Sequence, residues 1–356
     1  MVKKAVIFFV LVLVFISCNS QDKARVYYTE DISQSGLLEV FHKIDEEMEG
    51  EIGVKVHFGE EGNRNYIKPA IMKPLMKEID GTFVETNVLY VSKRRYTESH
   101  IKLAKKHGFG YAPIDILNSD GEKVLNADGY EHYNEVKVGA GMDNYDSFLI
   151  ISHFKGHQMA GFGGAIKNVS MGLASISGKM ALHASEIPRY LPQRCISCGI
   201  CVKDCPVGAI SIDPLRIDKD KCIGCGNCIG VCPERAFGVP WGSTDAATFL
   251  ERLSEYAKVI ADHYPLVYIN FVSNISRGCD CMSSAPEPFM EDIGILASTD
   301  MVAIEQASHD LVDEHFGSED TFREVNRVSG KKQIKYAEKI GLGSSDYILI
   351  NLDKTD

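Results

Sequence analysis

The sequence predicts a mixed α/β domain that is interrupted by a small α+β insertion. Segments with helical periodicity alternate with apolar runs typical of strands over residues 25–188. The same alternation resumes over residues 241–356, whereas residues 189–240 lack it and hold eight of the eleven cysteines. Alternation on both sides of the cysteine block indicates one α/β domain with an insertion rather than two domains side by side.

Residues 1–24 are expected to lie outside the fold. Lys3 and Lys4 precede an apolar run, Ala5–Ile16, which fits a signal-peptide core better than a membrane span. The following Ser17-Cys18 resembles the lipobox of bacterial lipoproteins, which implies a lipid on Cys18 and membrane association, although phenylalanine stands where that motif usually has leucine. An uncleaved membrane-proximal anchor is the alternative.

Helices and strands are expected in a regular order on the first flank. Leu37 to Met48 recur at helical spacing, and Ile52 to Phe58 alternate like a half-buried strand. Residues 146–152, DSFLIIS, form a continuous apolar run typical of a strand buried on both faces. The other predicted elements are a helix over 69–79, a strand over 82–90, a helix over 98–107 and a strand over 114–117.

The second flank repeats this pattern. Phe249 to Ile260 form an amphipathic pattern that predicts a helix. Buried strands are predicted at 265–273, 292–298 and 347–352, with a helix that begins near Thr299.

Charge excludes one class of partner. The 38 Lys and Arg against 49 Asp and Glu give a net charge of −11, the wrong sign for neutralising a phosphate backbone. We therefore expect no nucleic-acid partner. An acidic surface suits a basic redox protein, but ordinary solvated charge is the favoured explanation of the excess.

The cysteine block spells C-x-x-C-x-x-C-x-x-x-C-P twice, with an offset of 27 residues. Thiolates in such runs are typical ligands of iron–sulfur clusters. Zinc is the competing explanation, but structural zinc usually takes two separated ligand pairs, and two triplets each followed by Cys-Pro exceed that need. The block therefore predicts two [4Fe–4S] clusters within an internal repeat.

The block resembles the bacterial two-cluster ferredoxin domain. The resemblance implies that Cys195, Cys198 and Cys201 bind one cluster with Cys232, and that Cys222, Cys225 and Cys228 bind the other with Cys205. It also implies electron transfer, since four thiolates leave no open position for a substrate.

A second candidate site follows the strand at 146–152. His153, Lys155, His157 and Lys167 surround a glycine-rich run, 161–168, where backbone amides could approach a bound anion. The glycine order is not a dinucleotide fingerprint. A tight loop with solvated basic residues is the alternative, and a metal on the paired histidines has no third ligand in the local sequence.

Cys279 and Cys281 form a third feature. A Cys-x-Cys disulfide would close a strained ring, so free thiols or metal ligands are favoured, with two inert buried cysteines as the alternative. We expect this segment to meet His153 or His157 in space, and one cluster to face the resulting pocket.

These segments resemble the family called domain of unknown function 362, many members of which carry an inserted two-cluster ferredoxin. The matching residues are 153–157, 161–168, 279–281 and 292–298, followed by Asp300. Met301 stands where the family usually has proline.

Two functions of different class remain open. In one, the clusters exchange electrons with an unknown small-molecule substrate at the pocket, so that the protein is an oxidoreductase. In the other, the protein is an electron carrier or docking module for a redox partner; clusters that only brace the insertion are a third possibility. The side of the membrane stays open as well, because clusters are usually built in the cytoplasm whereas the leader predicts export.

Overall fold

The computed structural model describes residues 23–212, 214–284 and 286–354. Its centre is one eight-stranded sheet built from both flanks of the cysteine block. The strands are β1 Ala24–Thr29, β2 Ile52–Lys55, β3 Thr82–Glu85, β4 Ile114–Ile116, β5 Ser147–His153, β6 Leu266–Val272, β7 Gly294–Ser298 and β8 Tyr347–Asn351. They lie in the order β8-β1-β7-β6-β5-β2-β3-β4, and only β7 runs antiparallel to its neighbours. The predicted mixed α/β fold is confirmed.

Helices cover both faces of this sheet. One face packs on α1, α2 and α3, and the other on α4, α8, α9 and α11, which gives two hydrophobic cores separated by the sheet. The helices are α1 Gln34–Phe41, α2 Lys73–Glu78, α3 Thr97–Lys106, α4 Ala165–Leu173, α5 Ile176–His183, α6 Ile200–Lys203, α7 Asn227–Val231, α8 Ala246–His263, α9 Met301–Phe316, α10 Thr321–Asn326 and α11 Lys331–Lys339.

Several predicted elements differ in extent. The helix predicted to reach Met48 ends at Phe41 and gives way to a short 3₁₀ turn. The strand expected to reach Tyr90 ends at Glu85, and the following residues form a loop. The strand at 52–58 is not half-buried: Lys55 of β2 is wholly buried, because its side chain faces an internal cavity instead of solvent.

The cysteine block forms a small unit of its own. It contributes α6, α7 and two short antiparallel pairs, and none of its described residues joins the large sheet. Residues 189–190 pair with 237–238, so the two ends of the block lie side by side. Its hydrophobic cluster contains Cys201, Cys228, Ile229 and Phe237 together with Leu89 and Met180 from the main domain.

Candidate functional site

A cavity of about 310 Å³ opens at the carboxyl ends of three parallel strands. Lys55, Glu85 and His153, the last residues of β2, β3 and β5, all line it. Ligand sites of open α/β sheets form at this edge because the connecting loops diverge there. The sheet topology therefore supplies the cavity.

All six residues predicted for a pocket line this cavity. They are His153, Lys155, His157, Lys167, Cys279 and Cys281. The segment after β5 and the segment after β6 thus lie next to each other, although more than one hundred residues separate them in sequence.

His153 and Asp280 join these two segments. The Nδ1 atom of His153 lies 2.9 Å from Oδ2 of Asp280, and its Nε2 atom lies 2.7 Å from the carbonyl oxygen of Ser273. Lys155 extends its ammonium to the backbone oxygen of His153 at 3.0 Å and to Asp280 at 3.6 Å. Burial alone would raise the pKa of Asp280, but the charges of His153 and Lys155 hold that pKa below its usual range. With both ring nitrogens engaged, His153 anchors the cysteine segment and is not free to ligate a metal.

The sulfur of Cys279 has several hydrogen-bond donors as neighbours. Its sulfur accepts a hydrogen bond from the amide nitrogen of Cys281 at 3.3 Å. The Cys281 thiol, hydrogen-bonded to the same sulfur, is the largest factor that lowers the pKa of Cys279, and Lys167, His157 and Lys155 act in the same direction. Cys279 is buried and Cys281 half-buried, and neither forms a disulfide. The arrangement therefore favours a thiolate at Cys279.

His157 completes a set of soft donors. One donor atom each from His157, Cys279 and Cys281 lie within 4.8 Å of one another, close enough to surround one metal ion. The Nδ1 atom of His157, however, accepts hydrogen bonds from the amides of Met159 and Ala160 at 3.2 and 3.1 Å. A neutral imidazole then carries its proton on Nε2, whereas a ligating histidine normally donates from the ring nitrogen that does not bind the metal. These contacts fit a hydrogen bond from His157 to the Cys279 sulfur better than metal ligation.

A buried charge network on the cavity wall was missed by sequence reasoning. Glu85 accepts hydrogen bonds from Arg94 at 2.6 Å and pairs with His100 at 2.8 Å. Burial would raise the pKa of Glu85, but Arg94 and Lys55 lower it well below its usual value. Lys55 donates to Oδ1 of Asn168 at 2.9 Å, and burial lowers its pKa to about 8. The sequence signal available for this network was Lys55, a charged residue between the apolar residues Val54 and Val56 of the predicted strand.

The sequence predicts that backbone amides of the glycine run approach a bound anion, but the first helical amide after the run contacts a protein side chain instead. Residues 155–157 and 161–163 form a hairpin, and α4 starts directly after Gly164. The amide of Ala165 donates to the buried carboxylate of Glu305, and a Cβ atom at Gly164 would lie 2.2 Å from that carboxylate. The glycine therefore allows α4 to approach a protein carboxylate, which occupies the place predicted for a ligand.

The eight cysteines of the block lie in two groups of four. Cys195, Cys198 and Cys201 surround one depression together with Cys232, and Cys222, Cys225 and Cys228 surround another together with Cys205. Each group thus combines one triplet with the fourth cysteine of the other repeat. Four convergent thiols enclosed by apolar side chains are a suitable donor set for a metal cluster.

The backbone repeats with the same 27-residue offset. The amide of Ala209 donates to the sulfur of Cys205 at 3.2 Å, and the amide of Ala236 donates to that of Cys232 at the same distance. Gly199 and Gly226, which precede α6 and α7, have φ values of 71° and 72°. Only glycine adopts this conformation without strain, so each glycine lets a helix begin within the cysteine triplet.

The second cysteine group lies against the cavity wall. Leu89 lines the cavity on one side and packs in the hydrophobic cluster around Cys228 on the other. Arg95 donates to the carbonyl oxygens of Leu89 at 2.8 Å and Gly226 at 3.1 Å, and Tyr96 donates to Gly230 at 2.8 Å. Leu89 is therefore shared between the cavity wall and the hydrophobic cluster of the cysteine block.

Residues 52–310 match the family described as domain of unknown function (DUF362), a match that spans most of the chain. The protein belongs to the DUF362 family. The matched region contains every residue of the cavity and both cysteine groups. The aspartate of the last family motif, Asp300, is the N-cap of α9, and Met301 occupies the first helical position, where proline is also favourable.

Two solved structures resemble this DUF362 protein distantly. The lactate racemase apoprotein from Thermoanaerobacterium thermosaccharolyticum is 10% identical with a TM-score of 0.33, over 70% of this chain and 51% of that one. A structural-genomics protein from Thermotoga maritima is 9% identical with a TM-score of 0.38, over 87% and 60% of the two chains. The chain thus spans about half to three fifths of their lengths. No curated protein matches it in sequence.

The predicted lipidation site at Cys18 lies outside the described residues. Among the helices that the structure describes, none combines the length and the apolar character needed to cross a membrane.

Proposed function

We propose that the protein is an iron–sulfur oxidoreductase that binds two [4Fe–4S] clusters in its cysteine block and exchanges electrons with a small molecule in the cavity. The observation that carries this proposal is the position of Leu89, which lines the cavity and also belongs to the hydrophobic cluster that contains Cys228. A plain electron carrier has no need of a cavity beside its cluster.

The cluster ligands in this proposal are the two groups of four cysteines. Cys195, Cys198, Cys201 and Cys232 would hold one cluster, and Cys205, Cys222, Cys225 and Cys228 the other. The crossed grouping agrees with the ferredoxin pattern, and amides that donate to Cys205 and Cys232 would stabilise added negative charge. When bound, such clusters supply single electrons, commonly at low potential.

Substrate chemistry then falls to the cavity. Burial lowers the pKa of His57 and of His183 to about 3, so both imidazoles stay neutral at physiological pH. The Nδ1 atom of His183 is buried without a hydrogen-bond partner among the described residues, so it can form a hydrogen bond with a bound molecule. Lys167 can bind and orient an acidic group, and Cys279 lines the same cavity. The buried walls exclude bulk water, which strengthens these interactions.

Metal analysis tests the proposal. Protein purified without oxygen should contain about eight iron and eight sulfide per chain, with a paramagnetic signal after reduction by dithionite. Cys225→Ser should lower the iron content, whereas Cys279→Ser, outside both groups, should leave it unchanged. Zinc in place of iron, or an equal loss in both variants, would contradict the proposal.

A carrier role is the second candidate, and a surface feature favours it. Ile196, Ile200, Val207 and Ile223 are exposed on the cysteine block. Exposed apolar side chains beside redox centres suit the docking of a partner protein. If the whole function is electron transfer to a partner protein, a cavity variant such as Lys167→Gln will leave two quantities unchanged. These are the rate of electron transfer to an added acceptor protein and the number of electrons transferred per chain.

Membrane attachment through Cys18 remains part of the proposal. Cells grown with a labelled fatty acid should label the wild type and leave Cys18→Ser unlabelled. Equal labelling of both would remove the lipoprotein assignment.

A further inference from the structure

The cavity has a charge opposite to that of the protein. The chain carries a net charge of −11. Nevertheless, five lysine and arginine side chains line the cavity against one carboxylate, that of Glu85: they are Lys55, Arg94, Lys155, Lys167 and Lys179. Even with Cys279 counted as a thiolate and Lys179 as neutral, because burial lowers the pKa of Lys179 well below its usual value, positive charge remains in excess. A wall of this sign attracts anions.

Four of the five basic side chains have partners within the protein. Arg94 and Lys55 face Glu85, and Lys155 faces Asp280. Lys179 donates to the hydroxyl of Thr86 and to the carbonyl oxygen of Ala174 at 2.6 Å. These four side chains therefore make their ion pairs and hydrogen bonds mainly with other groups of the protein.

Lys167 is different. Within residues 23–212, 214–284 and 286–354, no carboxylate lies within 4.0 Å of its ammonium and no hydrogen-bond acceptor is assigned to it, although it lines the cavity and is half-buried. A half-buried cation pays a desolvation cost that a bound anion would offset. Lys167 and Cys279 line the same cavity, and the positive charge of Lys167 is one of the factors that lower the pKa of the Cys279 thiol.

We propose that the cavity binds a small molecule with a carboxylate or phosphate group, that Lys167 holds this group, and that the Cys279 thiolate faces the bound molecule as a nucleophile. This inference rests on the proposed function in taking the cavity as the reaction site, and it adds the substrate class. A volume of about 310 Å³ fits a small acid, at the lower end of ordinary ligand pockets.

Charge-matched alkylating reagents test the proposal. In the reaction, the Cys279 sulfur attacks the methylene carbon of iodoacetate or iodoacetamide, an S–C bond forms, and iodide leaves. The two reagents are similar in size and differ in charge. We expect the iodoacetate-to-iodoacetamide rate ratio at Cys279 to exceed that of the same thiol in urea-unfolded protein by about tenfold or more, because Lys167 holds the carboxylate. Rates are measured anaerobically on cluster-containing protein, by mass spectrometry of the Cys279 peptide.

Variants separate binding from general reactivity. Lys167→Gln should remove the preference for iodoacetate, Lys167→Arg should retain most of it, and Lys335→Gln, on the exposed face of α11, should change nothing. Acetate or inorganic phosphate should slow the reaction with iodoacetate in the wild type, and whichever competes better identifies the preferred acidic group. Cys279→Ser should abolish labelling of this peptide at position 279.

Two results would overturn the proposal: equal ratios in folded and unfolded protein, or an unreactive Cys279 that a metal chelator makes reactive. The second would show that His157, Cys279 and Cys281 hold a metal instead. Because labelling needs no electron transfer, a failure here with full iron and sulfide content refutes the anion site alone. Missing iron with intact charge selectivity refutes the cluster assignment alone.

Discussion

At the scale of single residues, the cavity depends on buried charges that neutralise one another. Glu85 is the shared anion for Arg94 and His100, and Lys55 lies at 3.9 Å. Removing one member of a buried ion network leaves the others uncompensated in a poorly solvated site. The acid is therefore more important to stability than any one of its partners.

Glu85→Ala should destabilise the protein by roughly 3–5 kcal/mol, because Arg94 and Lys55 would remain buried without their counter-charge. Urea unfolding followed by circular dichroism measures the loss. Glu61→Ala is the matched control, since Glu61 forms ion pairs with Lys93 and Lys106 at the surface. A Glu85→Ala midpoint equal to that of Glu61→Ala would refute the idea that the network supports the fold.

Glu305 predicts a dependence of stability on pH. Burial raises its pKa to about 7, above the usual value near 4.5. The folded state then binds this proton more tightly than the unfolded state, so the stabilisation is complete below the unfolded pKa and is lost as pH rises through about 7. The loss is on the order of 3 kcal/mol.

Glu305→Gln should remove this dependence while keeping an oxygen acceptor for the Ala165 amide. The difference in unfolding free energy between variant and wild type should increase in favour of the variant from about pH 5 to 8. Glu46→Gln, an exposed substitution, gives the baseline. A difference that stays constant with pH would mean that Glu305 is ionised without cost.

At the scale of elements, the best-predicted segments were those whose burial is uniform. The DSFLIIS run corresponds to β5, in which all seven residues from Ser147 to His153 are buried. The helix near Thr299 begins at Met301, directly after an aspartate that caps it. Local sequence determines such elements because hydrophobicity and capping act within a few residues.

Elements whose partners are distant in sequence were missed or misjudged. β1 was not predicted, and it is held between β7 and β8 from the far end of the chain. The alternating pattern over Ile52 to Phe58 predicts a solvent-facing position for Lys55, but its counter-charge, Glu85, comes from another strand. Nothing in the local sequence indicates a role for Asp280, and only the folded chain places it against His153. Long-range partners of this kind carry no local signal.

The start of α9 is a test at this scale. Asp300 accepts hydrogen bonds from the amides of Val302 and Ala303 at 2.8 and 2.9 Å, and its second oxygen accepts one from Ser344 at 2.9 Å. Asp300→Ala should therefore cost about 1–2 kcal/mol of unfolding free energy, the upper part of the usual range for N-caps. Asp300→Asn should recover most of it, since asparagine is an equally good cap. Thermal unfolding of the three proteins compares them, and equal stability of Ala and wild type would contradict the capping role.

At the scale of the whole molecule, the chain combines a large sheet with a small unit of a different kind. The sheet is stabilised by two extensive apolar cores. The cysteine block has only a small hydrophobic cluster, and that cluster includes cysteine side chains. Burial and the neighbouring thiols raise the pKa of Cys228 to about 12. Without a metal, such a unit has little to hold it together.

The two units should therefore differ in their dependence on bound metal. If the block holds the proposed iron–sulfur clusters, we expect removal of iron by a chelator, without oxygen, to raise amide hydrogen exchange across residues 195–232 by about tenfold or more, because metal–ligand bonds would take the place of the missing apolar core. Strands β5 and β6 should keep their protection, since each lies between two neighbours inside the sheet. The loop around Leu89 and Arg95 should show an intermediate increase, because its contacts with Gly226 are lost when the cysteine block loosens.

Mass spectrometry of peptic fragments measures all three regions in one experiment, and chelator added to cluster-free protein controls for direct effects. If β5 and β6 lost protection in step with the block, the sheet and the cysteine unit would be a single cooperative structure, and the shape of the cavity would depend on the bound metal.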